Sequence, residues 1–242
     1  MLERVSDSRW WLGARPKFVS EGVPEMSVAV VIPAFNEERT IASTIRSVKN
    51  QTILIDDIYV VDDCSSDRTG KIALREGVSV IRTPNNQGTK SRALNWALVR
   101  IQSTLVVTID ADTVLAPDAI EKSLRYFNRD DTFAVCGMVV PQRIRSIWER
   151  GRFVEYLYTI EVMKCGQNNC GVIMVSSGCF TVFKNEHLQS LGLFKERSMA
   201  EDMDLTWEAH FTRNKKVYCE INTVCYPLDP PTLAIYYNQL RR

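Results

Sequence analysis

The feature that most constrains the fold of this chain is an acidic triplet, Asp110-Ala111-Asp112, directly after a five-residue apolar run. That run, 105–109, is short and rich in β-branched residues, which is typical of a strand buried inside a parallel sheet. Ligands of an open α/β sheet bind where such strands end. Two carboxylates spaced two residues apart can converge on Mg²⁺ or Mn²⁺, which usually bridges to phosphate oxygens. The triplet therefore indicates a metal site for a phosphorylated ligand, with a solvated turn as the alternative.

Strand-like and helix-like segments alternate from residue 28 onward. The first half predicts strands at 28–32, 58–61, 78–81 and 105–109, with helices beginning near 36, 66, 90 and 117. Repeated β-α-β units predict an α/β fold with a mostly parallel, Rossmann-like sheet flanked by helices. The second half predicts strands at 133–140, 179–183, 216–219 and 224–226, helices at 147–164, 198–211 and 231–242, and a loop at 165–171.

Neither repeats nor linkers interrupt the sequence, so we predict a single domain over residues 1–242. We expect a nucleotide-binding half over about 28–113 and a half that shapes the second-substrate site over about 114–242. The helical segment 147–164 carries several aromatic residues. It predicts either a helix that contacts a membrane interface or one that packs in the core.

Composition and charge exclude several classes of protein. A net charge of +1 gives no reason to expect nucleic acid as a partner. No apolar run is long enough to cross a bilayer, and no secretory signal is evident. The seven cysteines contain no CxxC pair, which argues against a disulfide framework and a zinc site. We therefore expect a cytoplasmic protein, either free or at the cytoplasmic face of a membrane.

A polar cluster follows each of the predicted β-α units of the first half. The clusters are 33–37, 62–65, 88–90 and the acidic triplet, and parallel strands bring them to one edge of the sheet. Together the clusters suit a nucleotide diphosphate. They offer an aromatic ring, carboxylates that accept a ring N–H, a lysine for phosphate and a metal-binding pair. Helix caps, turn residues and a solvated lysine are the alternatives for single positions. No Walker A or GxGxxG loop is present, which argues against kinases, ATPases and dehydrogenases.

In these motifs the chain resembles the family-2 glycosyltransferases, which have the GT-A fold. The matching strings are VVIPAFNEE (30–38), VVDDCSSDRT (60–69), GTKSRALN (88–95), TIDADT (108–113), SSGCFTVFK (176–184) and AEDMDLT (200–206). The closing NQLRR (238–242) resembles the start of the Gln-x-x-Arg-Trp signature of membrane-embedded polysaccharide synthases, such as chitin, hyaluronan and poly-N-acetylglucosamine synthases. Gln239 and Arg242 match that signature, and the sequence stops where its tryptophan would follow.

The resemblance implies a role for each matched residue. The nucleotide-sugar site would comprise Pro33, Ala34, Phe35, Glu37, Asp63, Lys90, Asp110, Ala111 and Asp112. Within it, Asp63 would accept the uracil N–H, Lys90 would approach the nucleotide or its phosphates, and Asp112 would ligate the metal with Asp110 beside it. The acceptor side would comprise Ser177, Gly178, Cys179, Glu201, Gln239 and Arg242. Asp202 would be the general base, with Asp204 as its competitor, and Ser198 with Glu201 also fits a helix capping box.

The same resemblance implies the reaction. We expect Mn²⁺- or Mg²⁺-dependent, inverting transfer from a nucleotide-sugar to a hydroxyl of a saccharide, lipid or protein acceptor. The expected donor is a UDP-sugar, either UDP-N-acetylglucosamine or UDP-glucose. A polyprenyl-phosphate mannosyl- or glucosyltransferase and a non-catalytic nucleotide-sugar-binding module remain the alternatives.

Overall fold

Eight strands form one mixed sheet in the computed structural model, which describes residues 26–197 and 200–229. The strands are β1 (Val28–Ala34), β2 (Asp57–Asp62), β3 (Ser79–Arg82), β4 (Leu105–Ile109), β5 (Thr113–Leu115), β6 (Thr132–Val139), β7 (Phe180–Lys184) and β8 (Lys216–Pro227). The helices are α1 (Ile41–Lys49), α2 (Thr69–Arg75), α3 (Lys90–Leu98), α4 (Ala119–Leu124), α5 (Ile147–Tyr156), α6 (Met163–Asn169), α7 (Asn185–Ser190) and α8 (Glu201–Arg213). The strand order is β3-β2-β1-β4-β7-β6-β8-β5.

The first half follows the predicted β-α-β plan. Strands β3, β2, β1 and β4 are neighbours and run parallel, and every residue of β1 and β4 is buried. Helix α1 buries Ile41, Ile45 and Val48, which recur at helical spacing. It begins at Ile41 rather than near residue 36, because Asn36 has a left-handed backbone with φ +57° and residues 37–40 form a turn.

The second half adds antiparallel pairing. Strand β7 lies antiparallel between β4 and β6, and β8 runs parallel to β6. The two short strands predicted at 216–219 and 224–226 are one twelve-residue strand, β8, whose pairing with β6 shifts register between Gly137 and Met138. Strand β5 and helix α7 are not predicted from the sequence. β5 has three residues and pairs only with β8, so its sequence carries little strand signal of its own.

The segment 147–169 is helical along its whole length. A capping box of Ser146 and Glu149 opens α5, a π-helical stretch covers Leu157–Val162, and α6 continues to Asn169. The loop predicted at 165–171 is therefore wrong for residues 165–169, and only a turn at 170–171 follows the helix. Its polar residues bind neighbouring backbone instead of solvent: Asn168 Oδ1 accepts the N–H of Cys219, and Gln167 Oε1 accepts the N–H of Met174.

Several predictions fall outside the described residues. They are the helix at 231–242 with Gln239 and Arg242, and Ser198 of the capping box. Within the described ranges, no helix combines the length and apolar character that a bilayer crossing requires.

Candidate active site

A cleft of about 650 Å³ opens along the carboxyl ends of β1, β2 and β4. It is lined by all the residues predicted for the nucleotide-sugar site, namely Pro33, Ala34, Phe35, Glu37, Asp63, Lys90, Asp110, Ala111 and Asp112. Four further residues line the cleft: Gly88 and Thr89, which the sequence analysis placed in a polar cluster but not in the site, and Asn86 and Ala93, which it missed. Asn86 shapes the loop before α3: its amide donates to the Asp63 carbonyl and its Oδ1 accepts the Gly88 N–H at 2.8 Å. The Asn-Asn-Gln-Gly run was the available signal, because such side chains fold loops back on themselves.

The loop after β1 is tied to the loop after β2. Asn36 donates its backbone N–H to Ser65 Oγ at 3.0 Å, and its Oδ1 accepts the Ser66 N–H at 2.9 Å. Asn36 therefore acts as a loop clamp and not as a helix cap. The neighbouring Phe35 side chain is left half exposed at the cleft. Glu37 accepts a hydrogen bond from Thr40 Oγ1 at 2.7 Å, yet burial raises the pKa of its carboxyl.

The adjacent residues Asp62 and Asp63 have different surroundings. Asp62 is buried, accepts the Ser65 N–H and forms an ion pair with Arg82 at 2.5 Å, so it is the turn residue of the pair. Asp63 lines the cleft, and its Oδ1 accepts from Thr83 Oγ1 and from the Gln87 N–H, both at 2.9 Å. A carboxylate has about four lone-pair positions. Asp63 is thus held in one orientation while keeping capacity for a ligand N–H.

Four separate segments of the chain hold the backbone of the acidic triplet. The Asp110 N–H donates to the Cys179 carbonyl at 3.2 Å, and the Ala111 carbonyl accepts from Thr44 Oγ1 on α1 at 2.9 Å. The Asp112 carbonyl accepts from Gln142 Nε2 at 3.0 Å and from the Leu228 N–H at 3.2 Å. The two carboxylates are therefore presented from a rigid turn at the end of β4.

The charges around Asp112 fit a divalent cation. Burial and the nearby charges of Asp110 and Glu37 raise the pKa of Asp112 to about 7. Its carboxylate accepts one hydrogen bond, from Thr113 Oγ1 at 3.3 Å. Across residues 26–197 and 200–229, no three acidic, histidine or cysteine side chains could enclose an ion by themselves. A Mn²⁺ or Mg²⁺ ion held by Asp112 and Asp110 and completed by water and phosphate fits this donor set.

Lys90 lies between the cleft and the loop that precedes β7. Its Nζ lies 2.5 Å from Asp110 Oδ1 and 2.5 Å from the carbonyl oxygen of Gly178. Thr89 caps the N-terminus of α3 and so places Lys90 at the first helical position. The predicted acceptor residues Ser177, Gly178 and Cys179 immediately precede β7. We refer to these three residues as the acceptor wall.

Asp202 lies against this wall in the first turn of α8. A Cβ atom on Gly178 would lie only 2.5 Å from Asp202 Oδ2, so glycine is required for this approach. Burial raises the pKa of Asp202 to about 6, and the Lys90 ammonium opposes the rise. Glu201 is half-buried beside it. Asp204, the competing candidate base, is held by Arg197 through two contacts of 2.8 and 2.9 Å.

The comparisons with known proteins identify the family of this chain. The model of the family described as "Glycosyl transferase family 2" matches residues 29–192. A poly-beta-1,6-N-acetyl-D-glucosamine synthase from Staphylococcus epidermidis is 27% identical over 217 residues, which is 88% of this chain and 52% of that protein. Synthases of the same name from Staphylococcus aureus match equally well. The chain thus spans about half the length of the curated relatives it matches.

Two solved structures share the fold. The mannosyltransferase PcManGT from Pyrobaculum calidifontis, in complex with GDP-Man and Mn²⁺, has a TM-score of 0.72 at 20% identity, covering 89% of this chain and 61% of its own. Glucosyl-3-phosphoglycerate synthase from Mycobacterium tuberculosis, in complex with Mn²⁺ and UDP-glucose, has a TM-score of 0.65 at 20% identity, covering 90% of this chain and 76% of its own. These similarities confirm the fold class that the sequence predicts.

Proposed function

The chain belongs to glycosyl transferase family 2, and from that premise we propose that it carries out metal-dependent, inverting transfer of a sugar from a nucleotide-sugar to an acceptor hydroxyl. One observation carries the proposal. Lys90 contacts both Asp110 in the donor cleft and Gly178 in the acceptor wall, and Asp202 lies against the same glycine. A donor phosphate, an acceptor hydroxyl and a base would therefore meet within a few ångströms.

A UDP-sugar is the proposed donor. The fixed carboxylate of Asp63 suits the ring N–H of uracil, and the exposed ring of Phe35 offers an apolar surface to the base. The relatives named as poly-N-acetylglucosamine synthases favour UDP-N-acetylglucosamine. The M. tuberculosis neighbour, crystallised with UDP-glucose, supports UDP-glucose as the second choice. The P. calidifontis neighbour with GDP-Man keeps a mannosyltransferase acting on polyprenyl phosphate as the alternative.

The chemistry follows from the two sides of the site. A Mn²⁺ or Mg²⁺ ion at Asp112 and Asp110 would stabilise negative charge on the departing diphosphate. Asp202 would accept the proton of the acceptor hydroxyl. The acceptor oxygen then forms a bond to the anomeric carbon as the bond to the diphosphate breaks on the opposite face, which inverts the configuration. A carboxyl whose pKa is about 6 is mostly ionised at neutral pH and remains a useful base.

UDP release tests this proposal. We expect release from one donor of a nucleotide-sugar panel in the presence of Mn²⁺, stimulated by an oligosaccharide acceptor. Polyprenyl phosphate as the preferred acceptor would favour the alternative enzyme. Tight UDP binding without release from any donor would favour the non-catalytic module and contradict the proposal.

The matched pair Asp202→Asn and Asp204→Asn tests the base. We expect Asp202→Asn to keep UDP affinity and to lose transfer, because the amide cannot accept the proton. Asp204→Asn should keep most turnover, since Asp204 is engaged by Arg197 at the exposed side of α8. Equal losses in both variants would contradict the assignment of Asp202.

We further propose that the helical segment 147–169 rests on the cytoplasmic surface of a membrane. Four of its apolar side chains are exposed: Trp148, Val154, Tyr158 and Val162 are 42%, 62%, 62% and 61% exposed. Exposed arginines at 143, 145 and 150 accompany them, which suits anionic headgroups. Flotation with phosphatidylglycerol vesicles tests this contact. Val154→Asp should reduce binding, while Val99→Asp, at an equally exposed position of another helix end, should leave it unchanged.

A further inference from the structure

Thr83 is a buried threonine whose hydroxyl binds a residue of the donor cleft. It directly follows β3 and is 2% exposed. Its backbone N–H donates to the Asp62 carbonyl at 3.1 Å, which holds it beside the turn after β2. Its Oγ1 lies 2.9 Å from Asp63 Oδ1 and 3.5 Å from the Asp62 carbonyl oxygen. The shorter contact takes the hydroxyl proton, and Thr83 is the donor because a carboxylate only accepts hydrogen bonds.

The two carboxylate oxygens of Asp63 carry different numbers of hydrogen bonds. Oδ1 accepts from Thr83 Oγ1 and from the Gln87 N–H, both at 2.9 Å. Because a carboxylate oxygen has two lone pairs, Oδ1 is fully occupied. Oδ2 shares the Gln87 N–H at 3.1 Å and accepts from no other group of the described residues. Oδ2 is therefore the oxygen that has capacity for a ligand.

The backbone of Asp63 is held on both sides. Its N–H donates to the Ala34 carbonyl at 2.9 Å, and its carbonyl accepts from Asn86 Nδ2 at 3.3 Å. The residue lines the cleft, yet it is only 6% exposed. The side chain cannot exchange its two oxygens without breaking the hydrogen bonds of Oδ1. A ligand in the cleft therefore meets one accepting oxygen rather than two.

Nucleobases differ in the number of donors that they offer to a carboxylate. Uracil has a single ring N–H between two carbonyl groups. Guanine has a ring N–H beside an exocyclic amino group, and these two donors suit the two oxygens of one carboxylate. A carboxylate with one open oxygen satisfies uracil and leaves the amino group of guanine without a partner. A polar group that loses water and gains no partner lowers affinity.

Resting on the proposed function, we propose that Thr83 determines the base specificity of the donor site. Its hydroxyl occupies Oδ1 of Asp63, so the site accepts a single N–H and selects uracil over guanine. Thr83 does not itself line the cleft, so it is a positioning residue that acts through Asp63.

Guanosine diphosphate (GDP) and inosine diphosphate (IDP) test the proposal, because hypoxanthine keeps the ring N–H of guanine and lacks only its amino group. Titration calorimetry in Mn²⁺ measures their affinities beside that of UDP. We expect the wild-type protein to bind GDP no more tightly than IDP, and UDP more tightly than either. Wild-type binding of GDP that is about fivefold tighter than that of IDP would show that both oxygens are open. That result, or GDP binding as tight as UDP binding, would overturn the proposal.

Thr83→Val replaces the hydroxyl by a methyl group and frees a lone pair of Oδ1. The amino group of guanine can then donate to it, so this variant should bind GDP at least about fivefold more tightly than IDP. The preference for UDP over GDP should fall by at least the same factor. Thr83→Ser keeps the hydroxyl and should keep the wild-type order of affinities.

Thr223→Val is the matched control. Thr223 is equally buried, and its Oγ1 donates to the Ala119 carbonyl at 3.1 Å on β8. Its loss should lower the melting temperature without changing the GDP-to-IDP ratio. If Thr83→Val weakens UDP, GDP and IDP by one common factor, or keeps the wild-type ratios, the proposal is wrong. It is equally wrong if the protein folds only with a hydroxyl at position 83, because the role is then structural.

The two proposals fail in different ways. A wild-type protein that binds UDP but releases none from any nucleotide-sugar is not the proposed transferase, and the GDP-to-IDP ratio still decides the role of Thr83. Conversely, a Thr83→Val protein that transfers sugar with an unchanged GDP-to-IDP ratio supports the transferase and contradicts the specificity role of Thr83.

Discussion

Replacing Gly178 by alanine separates the transfer step from donor binding. The added methyl would lie 2.5 Å from Asp202 Oδ2 and 3.8 Å from Lys90 Nζ. Contacts of a real Cβ start at 3.0 to 3.4 Å, so the carboxylate must retreat by 0.5 to 0.9 Å. The backbone of Gly178 is not left-handed, so alanine can adopt its conformation. The substitution therefore acts only through the steric contact of the added methyl. The perturbation is therefore a displacement of Asp202 away from the acceptor.

The expected loss follows from that displacement. A misplacement of 1 Å at a reacting group costs about 100-fold in rate, so a shift of this size should lower kcat about 10- to 100-fold. Each factor of ten corresponds to about 1.4 kcal/mol in the activation barrier. Overpacking at a tight site should also destabilise the fold by about 1–3 kcal/mol. The UDP affinity in Mn²⁺ should change little, because Asp63 and Asp112 are untouched.

Steady-state UDP release and calorimetric titration of UDP measure the two effects separately. Gly151→Ala is the control, since a Cβ there meets no atom within 4 Å and alanine favours the interior of α5. It should keep wild-type turnover. The reasoning would be refuted by a folded Gly178→Ala protein with wild-type kcat, or by one that loses UDP binding to the same extent as turnover.

Two further variants test the charges of the cleft. Asp112→Asn should weaken Mn²⁺-dependent UDP binding at least about tenfold, measured by titration calorimetry, because it removes a proposed metal ligand. The folded pKa of Asp112, about 7, lies above its ordinary value of 3.8, so its ionisation costs stability as pH rises from about 4 to about 7. Asp112→Asn should consequently melt at higher temperature than wild type at pH 8 without metal, and a lower melting temperature would contradict that sign. Arg82→Met should lower the free energy of unfolding by about 2 kcal/mol in urea, because it leaves the buried Asp62 without its cation. Its UDP affinity should stay close to wild type, and a selective loss of UDP binding without destabilisation would show that Asp62 belongs to the donor site.

The parallel half of the fold was predictable because its strands are buried on both faces and therefore appear as continuous apolar runs. Contacts between segments far apart in the sequence could not be predicted. Strand β5 has three residues and depends on β8, more than a hundred positions away, and the helix at 163–169 is polar because Asn168 and Gln167 bind other backbone segments. Neither partner is visible from local periodicity.

Placement at the cleft was predictable because the ends of parallel strands meet at one edge. The different roles of adjacent residues could not be predicted from the sequence. Asp62 and Asp63 are indistinguishable in the sequence, yet Asp62 pairs with Arg82 and Asp63 lines the cleft.

The surroundings of the carboxylates support the proposal that ligands bind in the cleft. Two carboxylates outside the cleft are satisfied by arginines: Asp62 pairs with Arg82, and Asp204 pairs with Arg197. Among the described residues, Asp112 and Asp202 have no cation within ion-pair distance, and burial raises the pKa of both. Ionisation of these buried carboxyls destabilises the folded protein. An arginine beside either of them would reduce that cost. A divalent ion at Asp112 and an acceptor hydroxyl at Asp202 would also reduce the cost of ionisation, and they would do so only in the bound complex. The buried carboxylates of Asp112 and Asp202 therefore support the proposal that a metal ion and an acceptor bind at these two positions.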